Sequence, residues 1–109
     1  MKLGNYDIQG NIVKDNETYI VKDNNTLKNL VVSTTCLHPK MSTSGHKHPG
    51  QEEVYTFMFG QGEMEIDDTR FPVTAGDIVI IPDGAFHKVH NTHAVDLSFV
   101  CVFDGKRNH

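Results

Sequence analysis

The chain has 109 residues, a formal net charge of -4, 38% hydrophobic and 22% charged residues, which suits one globular domain with a modest core and excludes a disordered chain. No cluster of basic residues offers a face to nucleic acid, and no apolar run approaches the roughly 20 residues of a membrane helix. The N-terminal stretch MKLGNYDIQGNIVKDNETY carries Lys2 but no apolar region behind it, so it is not read as a signal peptide, and a cytoplasmic location is expected.

The first 29 residues are polar, with a short strand-like stretch at Thr18 to Lys22 and a turn expected at Asn24 and Asn25. Leu30 to Leu37 is β-branched and apolar and reads as a strand. His38 to Gly50 is rich in Ser, Thr, Gly and Pro and reads as a loop. Glu53 to Phe59 alternates, with Val54, Thr56 and Met58 on one face and Glu53, Tyr55, Phe57 and Phe59 on the other. Gly60 and Gly62 interrupt the run before Glu63 to Asp67 alternates again, with Met64 and Ile66 together. Asp67 and Asp68 suit a hairpin turn before Arg70 to Thr74. Ala75-Gly76-Asp77 turns into the short apolar strand Ile78 to Ile81, which stops at Pro82. Asp83-Gly84 turns again, Phe86 to His90 runs on, and Ala94 to Phe103 is the last strand. No segment shows a 3.6-residue period. Many short strands with Gly and Pro turns predict an all-β sandwich or barrel.

Two cysteines, Cys36 and Cys101, are expected as small buried strand residues rather than a disulfide or a metal pair. Seven histidines stand out more. In His46-Lys47-His48, residues two apart on an extended chain point the same way, so two imidazoles can aim at one point. Glu53 follows the Pro49-Gly50 turn, and His87 follows the Pro82-Asp83-Gly84 turn. Three imidazoles and a carboxylate would suit one divalent transition metal (Fe, Mn, Ni, Cu or Zn) with positions left open for water or substrate. Taken alone, a His-x-His pair in a loop reads equally as two surface histidines.

The spacing around these residues is more specific. Gly76, five residues, Pro82, one residue, Gly84, two residues, His87, three residues and Asn91 resemble the second motif of the cupin superfamily at every fixed position. His46-x-His48, four residues, Glu53, six residues and Gly60 resemble the first motif from its paired histidines onward. That motif usually opens with a Gly six residues before the first His. Here the position holds Lys40, and Gly45 is the nearest flexible residue. The resemblance implies a single-domain cupin, a double-stranded β-helix or jelly-roll barrel. One domain over 1–109 is expected, with an N-terminal segment 1–29 that exchanges between subunits of a homodimer and a barrel over 30–104.

It implies His46, His48, Glu53 and His87 as metal ligands. Glu52 competes with Glu53, but the alternation of strand faces and the distance to Gly60 favour Glu53. Gly60, Gly76 and Gly84 are expected at positive φ, and Asn91 is expected to hydrogen-bond a loop backbone. Tyr55 shares the Glu53 face and is the candidate catalytic residue, its hydroxyl orienting a substrate or moving a proton. Core packing is the competing reading for Tyr55 and the expected one for Phe57 and Phe59. His90 and His93 are expected to face solvent, His38 is left unassigned at a strand end, and His109, Lys106 and Arg107 are expected to form a solvated tail.

Cupins resemble one another in barrel and metal site while hosting different chemistries. The first function expected is an isomerase, epimerase or lyase of a sugar, a sugar acid or a similar small polar substrate, with the metal as a Lewis acid stabilising an enediolate. The alternatives are an iron-dependent dioxygenase and a non-catalytic small-molecule-binding barrel. No nucleic-acid or membrane partner is expected.

Overall fold

The computed structural model describes residues 1–5 and 7–105. Lys106, Arg107 and His109 lie outside the described residues. Nine strands follow in chain order: β1 (Asn11–Asp15), β2 (Tyr19–Asn24), β3 (Leu30–Leu37), β4 (Glu53–Phe59), β5 (Gln61–Ile66), β6 (Thr69–Thr74), β7 (Ile78–Ile81), β8 (His87–His90) and β9 (Leu97–Asp104). They form an antiparallel six-stranded sheet in the order β1-β2-β3-β9-β4-β7 and a three-stranded sheet in the order β6-β5-β8.

The period of two builds the interior. Along β3, Val31, Ser33, Thr35 and Leu37 are buried while their neighbours are not. The registers with β9 and β4 then stack inward-facing residues into rungs. Val31, Phe103 and Glu53 lie across from one another, then Ser33, Cys101 and Tyr55, then Thr35, Phe99 and Phe57, and finally Leu37 and Leu97. The lower rungs are apolar: Leu37, Leu97 and Met64 are fully buried, and Val89 nearly so. The upper rungs bring in Glu53 and Tyr55. One end of the barrel is therefore a hydrophobic plug, and the other brings the Glu53 carboxylate into the interior.

β3 and the Asp67–Asp68 hairpin fall where the alternation places them, and Asp67 sits at φ 51. Three expectations about the strands need correcting. Asn11–Asp15 forms a strand, although its residues are mostly exposed and polar, because it pairs with β2 as the sheet's outer strand. The last strand starts at Leu97, not Ala94. Phe59 does not share the inward face of Phe57. Phe57 pairs with Phe99 and Phe59 with Ser98, so an extra residue bulges the strand and turns Phe59 outward, 56% exposed.

The loop before β4 is more ordered than its composition suggests. Residues 41–46 lie antiparallel along β8. Thr43 N donates to Val89 O, Asn91 N donates to Met41 O, and His46 and His87 exchange both backbone hydrogen bonds. The segment thus acts as a fourth, irregular strand of the small sheet. His90, expected in solvent, is largely covered instead. Its Nδ1 meets Ser42 Oγ and its Nε2 meets Glu65 Oε1, both at 2.8 Å, so its ring ties this segment to β5.

Two positions explain the spacing of the motifs. Gly60 has φ 87, and a Cβ there would stand 2.3 Å from Asp96 O. Only glycine lets the chain leave β4 beside that backbone. Lys40, where a glycine was expected, also has a positive φ of 66. The turn keeps its left-handed geometry with a side chain that tolerates it poorly.

Candidate metal centre

Glu53 opens β4 and points inward from the first rung, 3% exposed, whereas Glu52 is exposed. Of the two carboxylates, Glu53 is the one in the barrel. His87 opens β8 on the facing sheet and is also 3% exposed. Its Nδ1 donates to Ala85 O at 3.2 Å, which fixes the tautomer and aims the Nε2 lone pair inward. That Nε2 is buried, makes no hydrogen bond among the described residues and lies 3.7 Å from Glu53 Oε1. Burial pushes the His87 pKa below its ordinary value, with the Ala85 bond opposing. The neutral imidazole, the form that ligates metals, is thereby favoured.

His48 arrives from the strand-like segment, 5% exposed, with its ring 5.3 Å from that of His87. Donor atoms of His48, Glu53 and His87 all lie within 4.8 Å of one another. Metal–nitrogen and metal–oxygen bonds of about 2.0–2.2 Å bridge a gap such as the 3.7 Å between His87 and Glu53. Two imidazoles and one carboxylate in a buried pocket fit a first-row divalent metal in donor type as well as spacing.

His46 is close but not inside this triangle. Its ring stacks on His48 with centroids 5.3 Å apart and stands 6.3 Å from His87, while its Nε2 contacts Ser44 Oγ at 3.1 Å. It is half-buried at the cavity mouth. Closing a four-donor set would exchange that exposed Ser44 contact for a metal bond, forgoing about 1 kcal/mol or less.

Tyr55 lies one rung below Glu53, 7% exposed, stacked on Phe99 at 5.1 Å and edge-on to His87 at 5.9 Å. It is both a packed core residue and a wall of the cavity, so the two readings are not exclusive. That cavity holds about 40 Å³ and is bordered by His46, Glu53, Tyr55, His87, Thr35 and Cys101. Thr35 and Cys101 were not singled out from sequence as cavity residues. The signal was present: period-two counting along β3 and β9 puts both on the inward face. Cys36 and Cys101 are not joined in a disulfide, and Cys36 lies on the outward face, only half-buried.

Two antiparallel sheets closed on a plugged core, with a His/Glu/His group at one end, define a double-stranded β-helix barrel. The model of the cupin domain matches residues 33–103, and the chain belongs to the cupin family. The chain is 35% identical to an oxalate-binding protein of Thermotoga maritima over 61% of its own length and 54% of that protein's, so the match spans about half of that relative. Among solved structures, a predicted oxalate decarboxylase of Thermotoga maritima is 27% identical, with a TM-score of 0.69 over 78% of this chain and 80% of that one. KdgF from Halomonas sp. shares the fold at a TM-score of 0.80 and 14% identity, covering 92% of each chain.

Proposed function

We propose that this chain is a metal-dependent cupin in which His46, His48, Glu53 and His87 hold one divalent transition metal and a small polar acid occupies the adjoining cavity. The observation that carries the reading is the buried triangle of His48, Glu53 and His87 opening onto the space beside Tyr55. When bound, the metal supplies a Lewis acid able to hold a carboxylate and draw electron density from the neighbouring carbon. The protein's own residues do the rest. Ala85 O keeps His87 Nε2 aimed inward, and the apolar plug beneath keeps water from the inner side. The Tyr55 phenol, on a ring stacked against Phe99 and bordering the cavity, would orient the acid or carry a proton to or from it.

The reaction class that suits this arrangement is an isomerisation, epimerisation or lyase step in which a proton moves beside the bound carboxylate. The cavity narrows the substrate. At about 40 Å³ it has room for roughly three waters, a scale closer to a two- or three-carbon acid than to a whole sugar acid. A second reading, a barrel that binds such an acid without transforming it, is favoured by the similarity to an oxalate-binding protein. The homodimer belongs to the proposal too, supported by Val54, Ile78 and Ile80 left exposed along β4 and the edge strand β7. A monomeric mass in solution would remove it.

The test is elemental analysis of the purified chain, followed by incubation with short carboxylic acids, oxalate included, with and without oxygen. One metal per chain that is lost in His87→Ala, together with oxygen-independent turnover, supports the enzyme. Saturable binding of an acid without turnover moves the binding barrel to the front. Oxygen-dependent turnover would turn the assignment to oxygenase chemistry. A metal content unchanged in His87→Ala after loading with iron, manganese, nickel and zinc would sink the reading.

A further inference from the structure

We propose that Cys36, His38 and Asp96 form a second divalent-cation site, on the outer face of the large sheet, for a thiophilic ion of the zinc class. Donor atoms of these three residues lie within 4.8 Å of one another, and none of them belongs to the barrel centre.

The sheet register builds the cluster. Cys36 pairs with Ser98, and Leu37 with Leu97, at the end of the β3–β9 ladder. One step further along the same ladder places His38 opposite Asp96. Leu37 and Leu97 point into the plug, so by the period of two Cys36, His38, Asp96 and Ser98 all face outward. The result is a two-by-two polar patch three rungs from Glu53 and on the other side of the sheet. Ser98, its register partner, and Asp96 flank the Cys36 thiol on that face.

The spacing suits a tetrahedral ion. His38 Nδ1 and Asp96 Oδ1 are 3.5 Å apart, longer than a good hydrogen bond. Zinc bonds of about 2.0–2.3 Å set tetrahedral ligand atoms roughly 3.3–3.7 Å apart. Sulfur, imidazole and carboxylate form a donor set zinc accepts, and a coordinating thiol is deprotonated by the ion it binds. Three protein ligands leave the fourth position to water.

The backbone beneath the cluster is already held. His38 N donates to Thr18 O at 2.9 Å, and His38 O accepts from Met41 N and from Asn91 Nδ2. Asn91 Nδ2 also donates to Val95 O, the residue before Asp96. One buried amide thus fixes both segments that carry the ligands, and binding would ask only for side-chain rotations. All three ligands are partly exposed, so an ion can enter from solvent.

Cobalt(II) titration of the reduced full chain reads this site separately, because a thiolate ligand adds a near-ultraviolet charge-transfer band that a His/Glu site lacks. The band should appear in the wild type and in His87→Ala, vanish in Cys36→Ser, and weaken strongly in His38→Ala and Asp96→Asn. Added zinc should displace it, and Cys36→Ser should lower the bound metal by one ion per chain. No band at saturating cobalt would overturn the proposal. So would a band that survives Cys36→Ser, or one whose affinity is unchanged in both His38→Ala and Asp96→Asn. Failure of the barrel centre alone would instead show as a normal band with only this one ion bound.

Discussion

Asn91 offers the most direct test of how the barrel is held together. It is 2% exposed and lies one residue beyond β8. Its amide nitrogen donates to Leu37 O at 2.9 Å, Val95 O at 2.8 Å and His38 O at 3.1 Å, and its Oδ1 accepts from His93 N at 3.0 Å. Two hydrogens serve three carbonyls, so one is shared. Asn91→Ala removes these bonds at about 1 kcal/mol each and leaves buried acceptors that water reaches poorly. The expected loss is about 3–5 kcal/mol, a large share of the roughly 5–15 kcal/mol that stabilises a domain. Urea unfolding followed by circular dichroism should show the midpoint falling by about 2 M with little change in slope. Asn91→Asp should be at least as damaging, because it keeps the acceptor for His93 but turns a carboxylate toward three carbonyls. A loss below about 1 kcal/mol in Asn91→Ala would refute the reasoning, since one ordinary hydrogen bond would account for it. So would an Asp variant as stable as the wild type.

The other predictions concern the site and its approach. His87→Ala should lose the barrel ion, one metal per chain by elemental analysis, whereas His46→Ala should only weaken its retention, because His46 starts outside the tight triangle and engaged with Ser44; equal loss in both would show that the four donors act as one set. Tyr55→Phe should keep the fold and the metal but lower turnover of a small acid by at least about 100-fold if the phenol moves a proton, and unchanged turnover would return Tyr55 to core packing. Lys40→Gly should be no less stable than the wild type despite losing the Lys40–Thr92 hydrogen bond, while Lys40→Val should lose more than about 1 kcal/mol from its left-handed φ, as thermal melts would register.

Much of the fold was legible because half-buried strands write their faces into the chain. The alternation from Glu53 through Phe57 separated Glu53 from Glu52, and the structure puts the first inside and the second outside. The same counting failed at Phe59 because a bulge spends one residue without reversing the pattern, and no side chain marks it in advance. β1 escaped because an outer strand needs backbone partners more than apolar residues. Residues 41–46 read as loop for a related reason: their order comes from β8, which lies far along the chain.

The two metal-capable clusters show what spacing can and cannot reveal. His46, His48 and Glu53 sit within one short stretch, so their convergence is a local matter that sequence can express, with only His87 supplied from a distance. Cys36 and His38 are just as close in sequence, but their meaning depends on Asp96, about sixty positions later, and on a register that only the closed sheet sets. Before that register is known, Cys36 counts as a small strand residue and His38 as a strand end. The difference also bears on how the sites respond to strain. The barrel centre spans two sheets, so its geometry depends on how they close on the plug. The outer cluster lies on two adjacent strands and follows their register alone. Asn91 grips the backbone at Leu37, His38 and Val95 as well as ending β8, so loosening it should disturb the outer cluster directly and the barrel centre only through His87.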